Sequence, residues 1–96
     1  MKLLTKEIEK KMPAIGATES ESDPLAIVKF FHPLGQQTWY GTEYDPESRE
    51  FFGYVENGPY SELGYFSLTE LEQTRVMGLP MERDLYFKPI RLSEVQ

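Results

Sequence analysis

No cysteine occurs in the 96 residues, so the chain has no disulfide framework, thiolate zinc site, iron–sulfur cluster or cysteine nucleophile. Histidine is nearly as scarce. His32 is the sole copy, which removes multi-histidine metal sites and leaves one imidazole for any acid–base role. Long hydrophobic runs are missing too. The stretch MKLLTKEIEKKMPAIG is interrupted by Lys6, Glu7, Glu9, Lys10 and Lys11, so it offers no continuous signal-peptide core. No window approaches the roughly 18 uninterrupted apolar residues of a membrane helix. The expectation is a cytoplasmic protein with no membrane segment.

Positive charge is thin in the middle of the chain. Residues 30–74 carry eight carboxylates against Arg49 alone, while residues 1–16 carry four lysines against two glutamates, and the whole chain has a net charge of -6. A generic phosphate-backbone binder clusters Lys and Arg, so nucleic acid is a disfavoured partner. Binding it would require the basic ends, Lys6, Lys10, Lys11, Lys88 and Arg91, with stacking on Trp39 or Tyr40. Glycines 35, 41, 53, 58, 64 and 78 are dispersed and cradle no phosphate. None of the serines sits in a Gly-x-Ser-x-Gly elbow.

What is present is a hydrophobic fraction of 40% and an aromatic fraction of 14%, enough for the core of one small domain spanning residues 1–96. Thr5 can cap a short helix with Ile8 and Met12 on one face, ended by Pro13 and Gly16. ATESESDP, residues 17–24, reads as an acidic loop. LAIVKFFH (25–32), QTWYGTEY (37–44), REFFGYVEN (49–57) and LGYF (63–66) read as strands, separated by PLGQ, DPES and NGPY. SLTE, Ser67 to Glu70, has the capping-box pattern and predicts a helix to about Val76 or Met77, stopped by Gly78 and Pro80. RDLYFKPI predicts a last short strand with Leu85 and Phe87 on one face, and RLSEVQ a tail. The fold class is α+β: a small antiparallel meander of three to five strands, an N-terminal helix and a capped helix near residues 67–77.

Alternation along the second strand predicts Trp39, Gly41 and Glu43 on one face and Thr38, Tyr40, Thr42 and Tyr44 on the other. Gly41 leaves a gap beside the indole, to be filled by a flat ligand, a partner or a neighbouring aromatic. Glu43 and Asp45, with Glu47, Glu50 or Glu62 in reach, could bind a hard cation or divide into acid and base. Solvated turn carboxylates are the plainer reading, and Asp45 with Pro46 suits a turn. His32 reads as a hydrogen-bonded strand-end residue.

The order of segments LLT, DPLAIVKFFHP, TWYGTE, FFGYVENG, ELGYFSLTEL, GLPMERDLYFKP and LSEV resembles a family of small bacterial, plasmid and phage proteins catalogued as a domain of unknown function. The resemblance runs from Leu3 to Val95 and is most specific in ELGYFSL (62–68) and ERDL (82–85). It implies a cytoplasmic single-domain protein encoded on mobile elements near antirestriction, replication or transfer genes, and it brings no catalytic residues.

Taken together, these features favour a non-enzymatic accessory protein, monomeric or weakly dimeric, whose acidic surface binds a protein partner through Trp39, Tyr40, Glu43, Asp45, Glu47 and Glu62. No cofactor or metal is expected. The alternatives are a small metal-dependent hydrolase or nuclease using Glu43 and Asp45, and a nucleic-acid binder or DNA mimic with an antirestriction role.

Overall fold

The computed structural model describes residues 1–95; Gln96, the end of the expected tail, lies outside the described residues. Thr5 caps α1 (Lys6–Lys11) by accepting the Ile8 N–H on its hydroxyl. The run LAIVKFFH divides into β1 (Leu25–Ala26) and β2 (Val28–Phe31), with the Ile27 N–H donated to the Gly41 carbonyl. β3 (Thr38–Asp45) and β4 (Glu50–Glu56) form the long hairpin, and a 3₁₀ turn at Gly58–Tyr60 leads to β5 (Glu62–Ser67). Ser67 then caps α2 (Leu68–Gln73), its hydroxyl accepting the Glu70 N–H.

Three expectations are corrected beyond that point. The second helix stops at Gln73 because residues 75–80 form a hairpin, β6 (Arg75–Val76) with β7 (Leu79–Pro80). Met77 and Gly78 turn it at φ of 52° and 81°, the paired positive values of a tight hairpin turn. The last strand is also shorter than expected. β8 (Glu82–Arg83) pairs with β2, but Asp84 then accepts the Tyr86 N–H on its carboxylate and the Phe87 N–H on its carbonyl. That turn throws Leu85 and Tyr86 into solvent, and Leu85 and Phe87 share no strand face. The expected tail is structured instead: β9 (Ile90–Arg91) pairs with β1, and a 3₁₀ turn covers Leu92–Glu94.

The main sheet has the order β5-β4-β3-β2-β8, antiparallel throughout, and it is covered on both faces by different parts of the chain. On the first face Phe30, Tyr44, Phe51 and Phe66 pack with Val28, under Leu3, Leu4, Met81 and the α2 residues Leu68 and Leu71. Phe51 is the hub, with ring centroids 5.4 Å from Phe30, 4.6 Å from Tyr44 and 5.1 Å from Phe66. Burying such a ring contributes about 2–3 kcal/mol. On the second face Tyr40 and Tyr54 pack with Ala26 and Leu92, against Phe87 and Val95 from the C-terminal segment.

Arg49, the lone base of the acidic stretch, fixes α2 to the β3–β4 turn. Its guanidinium donates two bonds of 2.9 Å to the Glu72 carboxylate and one of 2.9 Å to the Thr69 hydroxyl, while its carbonyl accepts the Leu68 N–H. The pair is partly exposed, so it contributes on the order of 1 kcal/mol or less and mainly sets the helix orientation.

Gly41, Gly53 and Gly64 stand side by side across β3, β4 and β5. A Cβ at Gly53 would lie 1.8 Å from the Tyr40 carbonyl oxygen, whereas one at Gly64 meets nothing within 4 Å. Gly53→Ala is therefore expected to cost about 3 kcal/mol or more by forcing strands apart, and Gly64→Ala to stay within about 0.5 kcal/mol of the parent. Urea denaturation of the two variants checks this; equal midpoints would contradict the packing described.

Candidate functional site

β3 holds one more residue than β4 between Gly41 and Glu43: Gly41 pairs with Gly53 and Glu43 already pairs with Phe52. The extra residue is Thr42, whose buried hydroxyl donates to the Phe52 carbonyl at 3.0 Å. A bulge of this kind reverses the alternation beyond it. The expected faces are corrected accordingly. Trp39, Gly41 and Tyr44 lie on the Phe51 face, and Tyr40 and Glu43 lie on the other with Phe52 and Tyr54. The gap at Gly41 is filled from within, since a Cβ there would meet the Phe51 ring and Val28 at 3.0 Å each.

Glu43 is buried, with 3% of its surface exposed. One carboxylate oxygen accepts the Gly16 N–H at 2.8 Å, and the other accepts the Thr18 N–H at 2.8 Å and the Thr18 hydroxyl. Burial pushes its carboxyl up, but these hydrogen bonds from Thr18 and Gly16 outweigh it and hold the group below its ordinary value. Glu43 thus anchors the loop of residues 15–24 over the sheet. The other end of that loop is clipped by Asp23, which accepts the Ser93 hydroxyl at 2.6 Å and the Ser93 N–H at 2.9 Å. Those bonds lower the Asp23 carboxyl.

The six residues singled out in the sequence are not brought together. Trp39 is half-buried against the first core. Tyr40 is buried, its ring 6.3 Å from Tyr54 and 6.0 Å from Phe87, and Tyr54 is buried with it. Asp45 accepts the Ser48 hydroxyl at 2.8 Å and the Glu47 N–H at 3.1 Å within its turn, which lowers its carboxyl. Glu47 is exposed in the β3–β4 turn, and Glu62 is exposed at the start of β5. Glu43 and Asp45 therefore each engage donors of separate loops, and among the described residues no group of three or more acidic, histidine or cysteine side chains is placed to hold a metal. His32 is buried, accepting the Leu34 N–H on Nδ1 at 3.0 Å and reaching the Leu79 carbonyl from Nε2 at 2.9 Å.

A concave feature of the surface lies beside Glu43. Between the 15–24 loop and the uncovered part of the second sheet face is a cleft of about 810 Å³, with Phe52, Leu63 and Tyr65 along one side and Ile15 in the loop opposite. Its lining includes Glu19, Glu21, Asp23 and Glu43 and, among the described residues, no lysine or arginine. Tyr65 meets Phe52 edge-on at 5.0 Å yet stays 62% exposed, and Leu63 56%. Sequence reading passed over Leu63 and Tyr65 as ordinary strand residues. The available signal was their placement, two apolar side chains two apart in a strand followed at once by a helix cap.

A family model described as "Protein of unknown function (DUF2958)" matches residues 3–95, and the chain belongs to that family. No curated protein and no solved structure matches it.

Because the Glu43 carboxylate is stabilised in the fold, its contribution is present above its ordinary value of 4.5 and is lost as pH falls through the lowered folded value. Glu43→Gln is expected to cost about 2 kcal/mol near pH 7 and to show a shallower loss of stability on acidification. Asp23 and Asp45 retain a share of that loss, since both are lowered as well. Urea denaturation at neutral and acid pH reads both effects; parallel pH profiles for parent and variant would remove Glu43 from this role.

Proposed function

We propose that this member of the family is a non-catalytic, single-domain accessory protein of a bacterial mobile element or phage, acting in the cytoplasm by binding a basic protein partner. One observation carries the reading. On a sheet face whose other half is covered by Phe87, Leu92 and Val95, Leu63 and Tyr65 remain largely exposed beside a cleft walled by carboxylates. Aromatic and aliphatic anchors inside a charged rim are the usual anatomy of a protein interface, and the sign of the rim selects lysine- and arginine-bearing partners.

The interface proposed here keeps Glu62 from the sequence-derived set and moves the aromatic anchor from Trp39 and Tyr40 to Tyr65. The hydrolase reading is the weaker one, because the oxygens of Glu43 and Asp45 already accept bonds from Gly16, Thr18, Glu47 and Ser48. That no helix among the described residues is long and apolar enough to cross a membrane agrees with a partner reached from solution.

The test is a pull-down from nuclease-treated lysate of a natural host, comparing the parent with a Glu62→Lys, Tyr65→Ser variant. Both side chains are exposed, so the variant is expected to unfold at the parent's urea midpoint. A basic protein held by the parent at low salt should fall about tenfold or more in the variant and weaken in about 0.5 M salt. Equal capture by parent and variant would overturn the reading.

A further inference from the structure

Resting on the binding-module reading above, we infer that the partner supplies an extended basic segment that pairs with β5 as a sixth strand of the sheet. β5 ends the strand order. Its pairing with β4 is unbroken from Glu62 to Ser67, and among the described residues no hydrogen bond outside that ladder engages the backbone of residues 62–66. The outward N–H and C=O groups of the strand therefore stand open.

Sheet edges left in this condition pair with other chains, and proteins ordinarily guard them with lysine, proline, a bulge or a very short strand. The opposite edge follows that rule, since β8 has two residues. β5 has six residues, ELGYFS, with no lysine, no proline and no bulge in its register.

Strand addition obtains affinity from main-chain bonds and specificity from pockets for alternate side chains. Both elements are in place. Leu63 and Tyr65 point to the face with the cleft, where alternate apolar side chains of an added strand would settle; the loop residues Glu19 and Glu21 bring negative charge to that cleft, and Glu62 adds an exposed carboxylate at the start of the strand, on its other face. That charge, on a chain of net -6, favours a lysine- or arginine-bearing segment over a second copy of the same protein.

The probe is a fluorescent octapeptide of alternating lysine and valine, titrated into the full chain at low salt beside its glutamate–valine counterpart. Two further versions carry N-methyl groups on the valine amides only or on the lysine amides only; in an extended strand these sets point to opposite edges. One methylated version should bind about tenfold or more weakly, the other within about twofold, and hydrogen exchange should show new protection at residues 62–66. Tolerance of both methylated versions, without protection, overturns strand addition. Binding of the glutamate peptide as tight as the lysine peptide, or no binding of either, overturns the basic-segment assignment. A stable dimer of the protein alone on sedimentation, with residues 62–66 already protected, gives the edge to a second copy and also overturns it. The binding-module reading fails separately, when the pull-down above no longer depends on Glu62 and Tyr65.

Discussion

At Thr42 the third strand carries one residue more than its neighbour, and every side chain beyond it changes faces. Without that bulge, Glu43 would point at the ring cluster around Phe51, and Tyr44 would point away from it. A carboxylate set among aromatic rings with no donors costs several kcal/mol or gives up its charge. With the bulge, Tyr44 packs against Phe51 with ring centroids 4.6 Å apart, and Glu43 meets two backbone N–H groups and a hydroxyl from residues 16–18. Thr42 itself is satisfied by the Phe52 carbonyl. Both faces of the sheet, and the position of the acidic loop, depend on this local irregularity.

The two faces are then closed from opposite ends of the chain. Leu3 and Leu4 join α2 and Met81 over the Phe51 cluster, while Phe87, Leu92 and Val95 come back over Tyr40 and Tyr54. The β1–β9 pairing and the Asp23–Ser93 bonds tie the C-terminal segment to the acidic loop. The covering of the second face reaches only part of the way. Phe52, Leu63 and Tyr65 lie past its limit, which is how an antiparallel sheet with two cores still leaves apolar surface beside a cleft.

Much of this was legible in the sequence. The positions of the three main-hairpin strands, the turn chemistry of DPES and the two hydroxyl caps, Thr5 and Ser67, act within a few residues, and each is found where the pattern put it. What was hidden depends on pairing between distant segments. A bulge is a mismatch between two strands, so reading β3 by itself placed Glu43 on the wrong face. The apolar character of Val76 and Leu79 fits a helix or a hairpin equally well, and the Met77–Gly78 turn decided the matter through backbone conformation that Met rarely adopts. Ile90 and Arg91 form a strand only because Leu25 and Ala26 are there to receive them. For the same reason the interface residues named from sequence were scattered by the fold.

Charge and exposure have to be separated before the acidic stretch can say anything about a partner. Glu43, Asp45 and Asp23 look like surface carboxylates in the sequence, yet each accepts bonds that shape a loop or turn, and Glu72 holds Arg49. These acids explain the fold. Glu19, Glu47 and Glu62 remain in solvent, and two of them border the same cleft-and-edge region as Leu63 and Tyr65. An exposed leucine alone would need no explanation. Two apolar side chains on a six-residue edge without lysine, proline or bulge are a different case, because the surrounding fold follows ordinary edge protection at β8 and satisfies its buried side-chain polar atoms among the described residues. Where one element departs from rules the rest of the chain obeys, a functional role is the reading to test first, and the departure at β5, with the sign of the neighbouring charge, is the ground on which the proposed basic partner rests.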